Sequence, residues 1–260
     1  MRAADLVPPA LLGPISRLRE SPLREEDIAG VTGLTRGEWR ELSRGFPRLP
    51  SDPGPDAARA RRRLRFLVGR ALQTPRHGPR FRPARPDPEP TVYVSAHIGD
   101  LRALRYMMRR HVAAASVVVT TGEERRAIAR EDRDFDLRFP RDFPHAFSTR
   151  RPHRLRGALS RGSLIVAADA PDGESVRFPC LGGSVRLDPR PFRLARLAGV
   201  PCRALFLTSP AGRLTVSIGE PLPRVETTAL AVFAESLARV AEESPLDVDG
   251  PTWWNWLQRP

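Results

Sequence analysis

From residue 91 onward, apolar runs too short to be helices alternate with stretches that repeat apolar residues at helical spacing. Four of these runs read as buried strands: Thr91 to Ala96, Ala115 to Thr121, Ser163 to Ala168 and Cys202 to Thr208. Their near-continuous apolar character is that of strands covered on both faces. Between and after them stand helical patterns at Leu101 to Met108, Glu123 to Glu131, Leu155 to Arg161, Pro189 to Ala198 and Glu226 to Glu243. Ser175 to Leu187 predicts two short strands around Leu181, Gly182 and Gly183, and Leu214 to Ile218 predicts a hairpin partner for the fourth strand. This order predicts an α/β fold, a largely parallel central sheet flanked by helices.

The alternation begins at residue 91 and divides the chain. Residues 1–73 read as an N-terminal helical extension, with Ser21 and Thr35 placed as N-caps. Its last part, Asp56 to Gln73, is a basic amphipathic helix that either lies on an anionic membrane surface or docks on its own domain with a solvated arginine side. Residues 74–90 are a proline-rich connector, and residues 91–260 form the α/β domain. Asp132 to His153 reads as a long loop with room for a short strand.

Composition removes several functions. The net charge of +13 invites a nucleic-acid partner, but every basic residue is arginine, lysine is absent and asparagine occurs only at Asn255. That pattern, together with 28 prolines, reflects codon bias as much as a partner, so nucleic-acid binding is not expected. Attraction to anionic surfaces remains, including peripheral contact with an anionic membrane. Cys180 and Cys202 fit neither a disulfide framework nor a CxxC site, and no two of the five histidines have zinc-ligand spacing, so no metal or prosthetic cofactor is expected. No run of about 18 apolar residues occurs. Pro8, Pro9 and Pro14 break the start too often for a secretory signal, so a cytoplasmic location is expected, with peripheral attachment at the inner membrane face left open.

The candidate chemistry gathers where the first strand ends. His97 follows Ala96 directly and precedes the helical pattern from Leu101, a placement that holds an imidazole rigidly yet open to solvent, as a general base requires. Asp100 stands three residues on: it either shares a helical face with His97 and orients the ring, or simply N-caps the helix. Asp169 closes the third strand, where open α/β sheets collect ligands, although it also suits the turn in DAPDG. Gly182 and Gly183 allow close backbone approach to a substrate, or a tight hairpin. Trp253, Trp254 and Trp256 either pack onto the domain or line a binding site.

The segments SAHIGDLRALR, LRGALSRGSLIVAADAPDG, VRFPCLGGSVRLDPRPFRLARLAGVPCRALF and PTWWNWLQRP resemble, in order, motifs of the glycerolipid acyltransferase superfamily. The closest likeness is to its lipid A late acyltransferase branch (lauroyl and myristoyl transferases), and it runs over residues 91–260. One departure stands out: the branch carries an acid five positions after its histidine, where this chain has Arg102. The resemblance implies a glycerolipid acyltransferase-like fold and transfer of an acyl group from an acyl carrier protein or coenzyme A thioester to a hydroxyl or amine of a lipid or small-molecule acceptor. It implies His97 as base, Asp169 at the family's strand-end aspartate, and a substrate-binding arginine between them. Arg126, Arg138, Arg141 and Arg150 lie in that interval, and spacing favours Arg138. It also admits a catalytically impaired relative that keeps the fold as a carrier- or partner-binding scaffold.

Overall fold

A computed structural model describes residues 35–49, 80–82, 89–99, 104, 108, 115–119, 146–148, 152–169, 173–208, 215–244 and 253. Nine strands are described: β1 (Arg80–Arg82), β2 (Val92–Ser95), β3 (Ala115–Val119), β4 (Ala146–Ser148), β5 (Ser163–Ala167), β6 (Val176–Cys180), β7 (Gly183–Leu187), β8 (Cys202–Thr208) and β9 (Thr215–Pro221). Four helices have described bounds: α1 (Arg36–Gly45), α2 (Pro152–Ala158), α3 (Arg190–Ala198) and α4 (Glu226–Glu243). Leu104 and Met108 are also helical.

Seven strands form one sheet in the order β1-β9-β8-β2-β5-β3-β4, and β6 and β7 form a separate antiparallel hairpin. Strands β8, β2, β5, β3 and β4 run parallel. β9 turns back antiparallel on β8, and β1 lies parallel to β9 at the edge. The result is an α/β fold around a mixed, mostly parallel sheet flanked by helices.

Chain order and sheet order together decide which helix covers which face. The connections from β2 to β3 and from β3 to β4 run toward one edge; those from β4 to β5 and from β5 to β8 run back. Right-handed crossovers therefore put α2 and α3 on one face and the helical segment at Leu104 and Met108 on the other. Side-chain alternation agrees. Val92, Val94, Leu164, Val166, Ala204 and Phe206 share one core cluster with Leu155 of α2, Phe192 and Ala195 of α3, and Phe233 and Leu237 of α4. Their alternating neighbours Tyr93, Ile165, Leu205 and Leu207 point the other way and are buried too, as are Leu104 and Met108.

α1 joins the same core as the α/β domain through Trp39, Leu42 and Phe46, all fully buried. Thr35 caps it as the sequence predicts: its hydroxyl accepts from the Glu38 amide at 3.3 Å, and the Glu38 carboxylate accepts from the Thr35 amide at 2.7 Å. Phe46 then packs on Trp253, ring centroids 5.0 Å apart, which joins Trp253 to the core beside α1 and gives it a packing role. β1 lies inside the stretch read as a proline-rich connector, where a three-residue edge strand between prolines leaves no apolar pattern to recognise.

Candidate active site

β2 ends at Ser95, and the chain turns sharply at His97, where the Ile98 amide donates back to the Ala96 carbonyl at 2.7 Å. Ile98 is fully buried and pins the turn from one side. The neighbouring strand β5 is parallel and in register, with Val94 opposite Val166 and Ser95 opposite Ala167, and the Ala168 amide donates to the Ser95 carbonyl at 2.8 Å. Two residues past the last paired rung, His97 and Asp169 therefore face each other.

Asp169 meets His97 twice. One carboxylate oxygen accepts from the His97 backbone N–H at 2.6 Å, and the other lies 2.7 Å from Nδ1. The carboxylate is wholly buried, whereas the imidazole keeps 26% of its surface exposed. A buried carboxylate demands donors, and this one receives a backbone donor that cannot change and a ring donor that can. With its proton held on Nδ1 toward Asp169, a neutral imidazole carries its lone pair on Nε2, the nitrogen that can accept a proton.

The pair sits at a topological switch point. The connection leaving β2 runs toward β3 on one face, and the connection leaving β5 runs back past β2 toward β8 on the other. Where two adjacent strands send their chains to opposite faces, a crevice opens at their carboxyl ends, and α/β sheets bind ligands there.

Asp100 and Arg138 lie outside the described residues, as do the basic helix at residues 56–73 and Trp254 and Trp256. Gly182 forms the β6–β7 turn together with Leu181, with φ of 80° and 51°, the positive pair a two-residue hairpin needs. A Cβ on Gly183 would stand 2.2 Å from the Gly45 carbonyl oxygen and 2.9 Å from the Phe46 ring, and one on Gly182 would lie 3.2 Å from Pro47. What these glycines admit is the chain's own segment at the end of α1, the Gly45 backbone at Gly183 and the Pro47 ring at Gly182.

Sequence reasoning passed over Asp188. Its amide donates to the Ala168 carbonyl at 2.7 Å, which seats the start of α3 beside the exit of β5. Its carboxylate accepts from the Arg190 amide at 2.8 Å and from the Arg190 guanidinium at 2.6–2.9 Å, so Asp188 satisfies the first amide of α3 and holds the Arg190 side chain at once. An aspartate just before a proline-led helix was the available signal. Further along α3, Arg193 bridges Glu174, which precedes the β6 segment, and Glu226 in the first turn of α4.

Neither cysteine suits nucleophilic work. Burial pushes both thiols up to about 12, with the charge of Glu242 adding to the effect at Cys180, and a thiol held neutral is a poor nucleophile. An open cavity of about 280 Å³ is lined by Glu89, Arg196, Pro201, Cys202, Leu222 and Arg224. It lies at the amino ends of β2 and β8, opposite the His97 corner, and has no part in the pair's chemistry.

Neither a scan against protein-family models nor a search of curated proteins gives a match for this chain. No helix among the described residues is long and apolar enough to cross a membrane.

Proposed function

We propose that the chain is an acyltransferase of the lipid A late acyltransferase type, moving an acyl group from a carrier protein or coenzyme A thioester to a hydroxyl or amine. The observation that carries this reading is the contact between a buried carboxylate and a partly exposed imidazole, 2.7 Å apart at the switch point of the sheet. Nε2 of His97 takes the proton of the acceptor hydroxyl while its oxygen attacks the thioester carbonyl. The tetrahedral intermediate collapses, the carbon–sulfur bond breaks, and the imidazolium returns its proton to the departing thiolate. Positioned proton transfer of this kind contributes roughly 10²- to 10⁴-fold. Asp169 holds the ring in the required tautomer and stabilises the imidazolium. Asp169, which sits on the histidine directly, supplies an orienting carboxylate in this reading.

A scaffold that keeps the fold without the chemistry would have no need of an acid against His97. The acid at 2.7 Å favours the enzyme.

The test incubates the protein with dodecanoyl-coenzyme A and with dodecanoyl acyl carrier protein, each with a pooled lipid and metabolite extract, and searches for acylated products by mass spectrometry. Product from wild type and none from folded His97→Ala is the expected result. Equal product from both proteins would remove His97 from the mechanism, and no product from either would remove the enzyme reading.

A further inference from the structure

The Asp169 contact fixes one side of His97, and the other side of the turn rests on a different strand. Gly99 has φ of 75°, and a Cβ built on it would stand 2.2 Å from the carbonyl oxygen of Leu207 and 3.2 Å from its carbon. Leu207 belongs to β8, the parallel neighbour of β2 on the side away from β5, and is itself buried. The turn that carries the histidine is thus held between two strands. β5 supplies Asp169, and the β8 backbone supplies a seat that admits no side chain at position 99.

We infer that Gly99 is a positioning residue: by letting the turn lie against the Leu207 carbonyl, it sets where the His97 ring meets Asp169 and hence where Nε2 points. This inference rests on the proposed acyl transfer for its catalytic meaning, while its geometric content is independent of any substrate. Two separate constraints act at Gly99. Its left-handed φ disfavours ordinary side chains, and the contact with a backbone carbonyl cannot be relieved by a rotamer change. Gly199 separates them, because it has φ of 71° with nothing within 4 Å of a built Cβ. Alanine at 199 adds only conformational strain; alanine at 99 adds strain and displaces the turn.

The experiment compares wild type, Gly99→Ala, Gly99→Asn and Gly199→Ala. Asparagine tolerates a left-handed φ, so the Asn variant isolates the contact with Leu207. The first readout needs no substrate: the downfield Nδ1–H proton and the ring ¹⁵N shifts of His97, assigned by their loss in His97→Gln. Wild type and Gly199→Ala should give the same His97 signals, Gly199→Ala melting about 2–4 °C lower. Both Gly99 variants should lose the Nδ1–H signal. In the dodecanoyl thioester assay they should lose at least tenfold in kcat with KM for the donor within about threefold, since the turn aims the base.

Wild-type His97 signals in folded Gly99→Ala or Gly99→Asn would overturn the inference. So would a backbone order parameter below about 0.6 at Gly99 in wild type, because a turn that is truly seated gives about 0.85. That measurement decides the matter should neither Gly99 variant fold. If wild type shows no transfer while the Gly99 variants still lose the His97 signal, the proposed function fails and the positioning role stands.

Discussion

Replacing Asp169 with asparagine tests the His97 pair sharply, because the structure dictates how the new amide must sit. The His97 backbone N–H, 2.6 Å from one carboxylate oxygen, is a donor in every protonation state, so it must keep an oxygen opposite it. The asparagine NH₂ then falls at the other position, 2.7 Å from Nδ1. Two donors cannot share that contact, so Nδ1 must become the acceptor and the ring proton must move to Nε2. A histidine protonated there has no lone pair to offer an acceptor hydroxyl. The corresponding aspartate-to-asparagine change in a serine-protease triad lowers kcat about 10⁴-fold through the same wrong tautomer, equivalent to about 5.4 kcal/mol in the barrier. Stability responds far less. Both hydrogen bonds persist as neutral ones in place of charge-assisted ones worth about 1.5–3 kcal/mol each, so unfolding free energy should fall by at most about 3 kcal/mol. The assay pairs dodecanoyl transfer with ring ¹⁵N shifts and a thermal melt. A folded Asp169→Asn protein with its His97 proton on Nε2 and wild-type turnover would refute the assignment of base and orienting acid.

Two further changes probe the scaffold. Gly183→Ala sets a methyl 2.2 Å from the Gly45 carbonyl and should loosen the end of α1, lowering stability by about 1–3 kcal/mol in urea unfolding; unchanged stability would mean that α1 does not rest on the hairpin. Arg193 holds the Glu226 carboxyl below its ordinary value of 4.5, chiefly by hydrogen bonding and then by its charge. A depressed folded value means that this stabilisation is present above about 4.5 and is lost as pH falls through the folded value, so wild type should lose more stability than Arg193→Ala between pH 6 and pH 3. Parallel curves for the two proteins would deny the linkage.

Where burial and spacing act locally, the sequence was readable. Cys202–Thr208 and Glu226–Glu243 have the expected bounds, because one is a complete apolar run and the other a complete amphipathic face. α2 begins at Pro152, three residues before the apolar pattern starts at Leu155; proline is a natural first helical residue, and the sign was there to use. β1 was not legible, since a short edge strand owes its existence to β9 and to nothing in its own residues. The histidine was legible from its place after a buried strand. Its acid was visible as a strand-end aspartate, but the pairing of the two was not: they lie 72 positions apart, and local spacing offers Asp100. Only the insertion of β5 between β2 and β3 brings them together, and strand order is a tertiary fact that no window of sequence contains.

That strand order also explains how an acid far away in sequence is set against the histidine. In parallel neighbours the register alone sets which side chains stand level, and Ser95 opposite Ala167 carries forward to His97 opposite Asp169. A slip of one residue would put Ala168 or position 170 across from the imidazole and would turn every side chain of β5 to the wrong face. Leu164 and Val166 in one core layer and Ile165 in the other oppose that slip with buried apolar area on both sides of the sheet. The geometry of the pair is therefore maintained by the same packing that stabilises the fold. A core variant that weakens β5 without unfolding the chain, such as Val166→Ala, should disturb the His97 Nδ1–H signal although it touches neither member of the pair.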